Sequence, residues 1–373
     1  MTAGAQRIVS CDDHMDVNAL PPDLWTSRLP ERLRAAGPRV QETSNGRFWF
    51  LGDAPVWRSG GVSALLPSAI VRAGIEDDGY RPSNPRLRLA DMDRDGVEGS
   101  VIYGPITGLT PAAMRDVELR HACHRAYNDW AAEFNATDLG RLCMLALLPA
   151  DDPGAAAAEV ERVAARGHRG VQLGHFETST PIHDPGWEPL WAACAETGLP
   201  LSFHLIGGTY LVHIKPGSWE MAAFAAVAPM QLDEVLATIT TCGILERHPR
   251  LRVVLGESGI GWVPYVLERL ETELDKYAGR MRDYRPALRP TELFRRQVFV
   301  TFEEDRVGVD LIPHIGADNV MWASDYPHPD STFPRSREAV EETFRNVAPE
   351  ITRKVVAENC ARLYGLGARG IGG

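Results

Sequence analysis

The segment Arg7-Ile8-Val9-Ser10-Cys11-Asp12-Asp13-His14-Met15-Asp16 joins a short apolar run to a knot of ligand-type side chains. The run Arg7–Cys11 has the length of a buried strand, and carboxylates and an imidazole stand where it ends. Side chains two apart in an extended chain share a face, so His14 and Asp16 can converge on one point. The same grammar recurs downstream. Ser202-Phe203-His204, Leu255-Gly256-Glu257 and Ser324-Asp325-Tyr326-Pro327-His328 each close an apolar run with a histidine or a carboxylate. One such residue is more often structural than functional, and an isolated aspartate such as Asp325 is as good a helix cap as a ligand. Four strand ends of one kind are a different matter, because imidazole nitrogen and carboxylate oxygen are the usual ligands of Zn²⁺ or Mn²⁺.

Working outward, eight apolar runs alternate with segments of helical spacing: Arg7–Cys11, Gly99–Tyr103, Leu142–Leu148, Gly170–Leu173, Pro200–Phe203, Arg252–Leu255, Val298–Thr301 and Val320–Ala323. That alternation predicts a parallel sheet with crossover helices, and eight repeats predict a (β/α)8 barrel. Helices are expected over Ala113–Phe134, Pro153–Ala165, Trp187–Thr197 and Ile260–Leu274. The first crossover is too long for a simple unit. Residues 20–85 are rich in Pro, Gly and Ser, and Asn45-Gly46 lies between Val40–Thr43 and Phe48–Leu51, a hairpin signal. We read this stretch as an inserted flap near the barrel mouth, within one domain spanning 1–373. A second long connection, Ile206–Asp233, follows the fifth run on the same side.

Composition narrows the class. The 373 residues carry 39 basic and 50 acidic side chains, a net charge of −11, which argues against a nucleic-acid surface. No stretch reads as a membrane helix and the N-terminus lacks a signal-peptide core, so the expected address is the cytoplasm. The six cysteines are scattered without a Cys-x-x-Cys pair, which suits buried thiols in a reducing compartment.

The chain resembles the amidohydrolase-related family, in the branch named after aminocarboxymuconate-semialdehyde decarboxylase. The likeness rests on Asp13-His14-x-Asp16, on Arg88-Leu89-Ala90-Asp91-Met92-Asp93-x-Asp95-Gly96-Val97, and on Gly198-Leu199-Pro200-Leu201-x-Phe203-His204. It continues through His248-Pro249-x-Leu251-x-Val253-Val254-x-Gly256-Glu257-Ser258-Gly259-Ile260-Gly261-Trp262 and ends on Trp322-Ala323-Ser324-Asp325-Tyr326-Pro327-His328. The resemblance implies a distorted (β/α)8 barrel, one divalent ion (Zn²⁺ or Mn²⁺) held by His14, Asp16, His204 and Asp325, and a small-molecule substrate. It also implies a homodimer.

Two departures matter. Asp16 stands where a histidine is common, and Glu257 where the decarboxylases tend to place a catalytic histidine. The catalytic candidates are accordingly Glu257, Asp325 and His328. Glu257 suits a general base toward a metal-activated water, an extra ligand or an orienter of His204, and the absent sixth-strand histidine tilts the expectation to hydrolysis of a small cyclic or carboxylated substrate. The alternatives are non-oxidative decarboxylation of an aromatic or muconate-like acid, and a barrel that keeps its ion but has lost catalysis. His175, Glu303, Tyr80, Tyr210, Trp219, Arg58 and Lys215 are weaker candidates for the pocket wall. His121 and His124, three apart on a helix, read as structural.

Overall fold

The computed structural model describes residues 6–61, 67–105, 113–205, 211–212 and 217–367. Every apolar run read above forms a parallel strand. They are β1 (Val9–His14), β5 (Gly99–Tyr103), β6 (Leu142–Met144) with β7 (Ala146–Leu147), β8 (Val171–Gln172), β9 (Leu201–His204), β10 (Val253–Gly256), β11 (Val298–Phe302) and β12 (Val320–Trp322). β6 and β7 are one strand position that changes partner at Leu145. Its N–H donates to Ile102 O on β5, while Ala146 N–H turns to Gly170 O beside β8.

The ladder therefore runs β1-β5-β6 and β7-β8-β9-β10-β11-β12. The circle closes between β12 and β1 through Asp325 N–H to Asp12 O (3.0 Å) and His14 N–H to Tyr326 O (2.7 Å). Most of these residues are apolar and all are buried, as parallel barrels require, and the polar exceptions gather on β1 and at or beside the strand ends.

Local chemistry sets the connections. Asp152 caps the helix Pro153–Ala165 by accepting from Gly154 N–H (2.8 Å) and Ala155 N–H (3.0 Å). Gly198, at φ 75°, ends the helix Glu188–Thr197 and turns the chain straight into β9. The other expected helices appear as Val117–Asn135 and Val263–Tyr277.

Between β1 and β5 lies the insertion, a three-stranded antiparallel meander of β2 (Arg39–Thr43), β3 (Gly46–Leu51) and β4 (Ala54–Arg58). The expected hairpin pairs Thr43 with Gly46, and Gly46 takes φ 105° there. The meander is seated by Trp49, which is fully buried edge-on to Trp25 (4.7 Å) and donates from Nε1 to Val17 O (3.0 Å). The second long connection carries the helix Trp219–Val227, none of whose residues is buried.

One composition reading needs correction. The span Trp219–Thr241, 23 residues, is long and apolar enough by length and composition to cross a membrane, where the sequence reading expected no such stretch. A short turn at Ala228–Leu232 interrupts it, and its second half buries Val235, Leu236 and Ile239 in the core.

Candidate metal centre

Three strand ends meet at one point. His14 is the last residue of β1 and His204 the last of β9; Asp325 lies three residues beyond β12, and Asp12 sits on β1 two before His14. All four are buried. Asp12, His14 and His204 form one group of potential ligands, and His14, Asp325 and His328 an overlapping one. His14 Nε2 is 2.8 Å from Asp325 Oδ1 and 3.5 Å from Asp12 Oδ1, and His204 Nε2 is 3.4 Å from Asp12 Oδ1.

None of these four atoms makes a hydrogen bond, although each is shut away from solvent. A buried polar atom left unpaired costs about 1–3 kcal/mol, so these atoms, in two overlapping groups that share His14, call for an occupant. Ligand atoms about 2.1 Å from a common ion stand about 3.0–3.4 Å from each other, close to the separations found. Asp12, His14 and His204 therefore fit one divalent cation, and Asp325, 2.8 Å from His14 Nε2, belongs to the group that overlaps them. Two carboxylates would neutralise it formally, a harder set than three imidazoles and one suited to Mn²⁺ as well as Zn²⁺.

The other end of each side chain is tied down, which fixes where the free atom points. Asp12 Oδ2 accepts from Thr301 Oγ1 (2.9 Å) and from the Glu257 N–H (2.7 Å). His204 Nδ1 donates to Leu205 O (2.7 Å), leaving the lone pair on Nε2. Asp325 Oδ2 pairs with His328 Nδ1 (3.0 Å).

Backbone strain marks the same place. Glu257 (φ 48°) and Asp325 (φ 58°) are the non-glycine residues at positive φ among the described residues, and such conformations gather at functional sites. Glu257 brings Oε2 to 3.4 Å from His204 Nε2 and 3.9 Å from His14 Nε2.

Electrostatics follow from crowding charges in a dry pocket. Burial pushes the Glu257 carboxyl up to about 7 against the pull of His204 and His328. Burial likewise raises Asp325 well above the carboxylate range, with His328 opposing. His14 is pressed well below the usual imidazole range, first by burial and then by the two neighbouring histidines. For His204 burial acts downward, but Asp12 and Glu257 outweigh it and hold the group at about 9.

Asp16, expected among the ligands, stands apart from both groups. β1 stops at His14 and the chain turns through Val17–Ala19, so the two-residue periodicity no longer holds at Asp16. Its Oδ2 instead meets His328 Nε2 (3.2 Å) at a partly open edge. His328 bridges Asp16 and Asp325 and stacks on His14, ring centroids 3.9 Å apart. Asp12 was missed, although the same periodicity counted back from His14 reaches it.

The weaker candidates divide. Glu303 lies beside Asp325 and Glu257, and burial followed by those carboxylates raises it well above the ordinary range. His175 has neither ring nitrogen paired, packs against Phe176 and Phe203, and is driven by burial to about 4. His121 pairs with the Asp151 carboxylate (3.1 Å) as expected, but His124 is buried rather than on a solvated face and bonds Arg120 O (3.1 Å). Tyr80 bonds Ser59 (2.8 Å), Arg58 lies over Phe48, and Trp219 faces solvent. Tyr210 and Lys215 lie outside the described residues.

Comparison with known proteins agrees with the fold. The gamma-resorcylate decarboxylase of Rhodococcus jostii (strain RHA1) is 27% identical over 264 residues, 65% of this chain and 76% of that protein. The amidohydrolase of Mycobacterium avium subsp. paratuberculosis K-10 superposes with a TM-score of 0.74 at 21% identity, covering 98% of this chain and 99% of that one. The dihydroxybenzoic acid decarboxylase of Polaromonas sp. JS666, solved with manganese and the inhibitor 2-nitroresorcinol, gives a TM-score of 0.61 at 17% identity, covering 97% of each chain. The amidohydrolase family model matches residues 54–366, most of the chain, and the protein belongs to that family.

Proposed function

We propose that this chain is a metal-dependent decarboxylase of a small aromatic acid, with Asp12, His14, His204 and Asp325 holding one divalent ion, Mn²⁺ or Zn²⁺. The observation that carries the reading is the set of four buried, unpartnered ligand atoms at the strand ends. The curated relatives add the reaction, since that of R. jostii is a decarboxylase of gamma-resorcylate. They outweigh the tilt toward hydrolysis, which rested on Glu257 standing in place of a histidine.

Bound there, the cation would supply positive charge to anchor the substrate's carboxylate and a neighbouring oxygen. The rest falls to the chain. Glu257, whose Oε2 lies 3.4 Å from His204 Nε2, would hold a proton beside that position. It passes the proton to the ring carbon that bears the carboxylate. The bond from that carbon to the carboxyl group then breaks, its electron pair returns to the ring, CO2 leaves, and Glu257 recovers a proton from water. His328, fixed between Asp16 and Asp325, keeps Asp325 aimed inward.

The test is CO2 release from 2,6-dihydroxybenzoate and from 5-carboxyvanillate by Mn²⁺-loaded protein. Glu257→Gln should keep the metal and lose about 100-fold or more in kcat, the range for a missing proton donor. Turnover of lactones with no CO2 from any aromatic acid would restore hydrolysis as the better reading.

A further inference from the structure

The two segments that leave the metal ligands are both gripped by the insertion. After His14, Trp49 Nε1 donates to Val17 O (3.0 Å) and Gly60 N–H to Asn18 O (2.7 Å). After Asp325, Ala69 and Ile70 pack with Tyr326 and Phe333 in a small core separate from the main one. Ala69 N–H donates to Pro327 O (3.1 Å), and Arg72 to Ser331 O (3.1 Å).

The polar part of this grip is a chain of three residues. Arg81, where the insertion ends, meets Asp91 with two hydrogen bonds of 2.8 Å, from Nε and Nη2. Asp91 is buried and accepts a third from the Tyr326 hydroxyl (2.7 Å). Tyr326 follows Asp325 directly, and its carbonyl accepts from His14 N–H (2.7 Å) and from Arg88 (3.4 Å). Arg88, fully buried on the same helix as Asp91, also donates to His14 O (3.0 Å) and lies over the Tyr326 ring. None of Arg81, Asp91 and Tyr326 belongs to either group of potential ligands among the described residues. Each link constrains Tyr326, whose neighbour is held at positive φ.

A buried ion pair can often be replaced by apolar groups without loss of stability, so its presence is better explained by geometry than by free energy. We infer that Arg81, Asp91 and Tyr326 form a positioning relay through which the insertion sets the aim of Asp325, and with it the affinity for the ion. This rests on the reading that Asp325 is a ligand. Arg81 and Tyr326 are positioning residues, not catalytic ones.

The experiment is a chelator competition for Mn²⁺ or Zn²⁺, run on the full chain in five forms. They are the wild type, Tyr326→Phe, Arg81→Met, Arg81→Lys, and Arg39→Met as a control on the exposed part of the insertion. Tyr326→Phe and Arg81→Met should each weaken metal binding about tenfold, the scale of an outer partner of a ligand. Arg81→Lys should recover part of the loss, and Arg39→Met should match the wild type. The double variant Tyr326→Phe/Arg81→Met should be no weaker than the worse single variant, because links in series fail once. Should Tyr326→Phe not fold, Arg81→Met at its more open position still decides. Wild-type affinity in both single variants, or losses that multiply in the double, would overturn the relay while leaving the metal site intact. A wild type that takes up no ion would overturn the ligand role of Asp325 and the relay together.

Discussion

Asp12 and Asp13 are neighbours on β1, both buried, yet the two faces of that strand treat them oppositely. Asp13 is ringed by donors. Ser10 Oγ (2.7 Å), Ser324 Oγ (2.7 Å), Ser100 Oγ and the Tyr326 N–H (3.1 Å) donate to it, and Arg88 lies 3.8 Å away. Asp12, on the barrel side, has one oxygen paired and the other bare. The first arrangement locks β1 to β5 and to the β12 end. The second leaves capacity for something from outside. On the reading proposed above, the satisfied carboxylate holds the strands together and the bare oxygen of Asp12 belongs to the candidate metal centre.

That contrast can be broken at several points, and the largest effect is expected on metal affinity. Asp12→Asn should weaken binding by about 100-fold or more, beyond the usual loss for an outer partner, while the metal-free protein stays folded. Metal analysis together with circular dichroism checks both halves. Asp13→Asn should do the reverse. It strips Arg88 of its buried counter-charge and should cost about 3 kcal/mol in denaturant unfolding, with the folded fraction still binding the ion. Equal metal loss in both variants would erase the distinction between the two faces.

A third effect belongs to the satisfied region alone. His124, buried on the helix Val117–Asn135, is held at about 3 by burial and then by His121. Its folded value lies below the unfolded value of about 6.5, so its contribution is complete above that pH and is lost as pH falls toward 3. The slope from this group is at most about 1.4 kcal/mol per pH unit, and His124→Gln should flatten the unfolding profile below pH 6.5. The smallest effect is expected at Asp16. Its alanine variant should change metal affinity less than about threefold, because it reaches the centre only through His328. A loss as large as that of Asp12→Asn would return Asp16 to the ligand set.

Much of this was legible in the chain. The eight runs, the hairpin at Asn45-Gly46, and the helices capped by Asp152 and ended at Gly198 are local matters of periodicity and turn chemistry, and they stand where the sequence puts them. The strand-end grammar also brought His14, His204, Asp325 and Glu257 to attention. Where sequence and structure differ is the length of β1. The sequence shows an apolar run ending at Cys11, but pairing with β5 carries the strand on to His14. A register irregularity between Ser10 and Asp13 lies inside that extension.

The sequence by itself determined the barrel, the insertion and the kind of side chain offered at the strand ends, because apolar periodicity and residue chemistry are written one position at a time. Only the tertiary structure decided which carboxylates face the centre. Asp12, Asp13 and Asp16 are chemically alike and close in sequence, and their roles depend on partners up to about 300 residues away, Thr301, Ser324 and His328. A buried oxygen becomes a ligand when folding leaves it without a hydrogen bond, and the count of its partners exists only once the distant strands have come together.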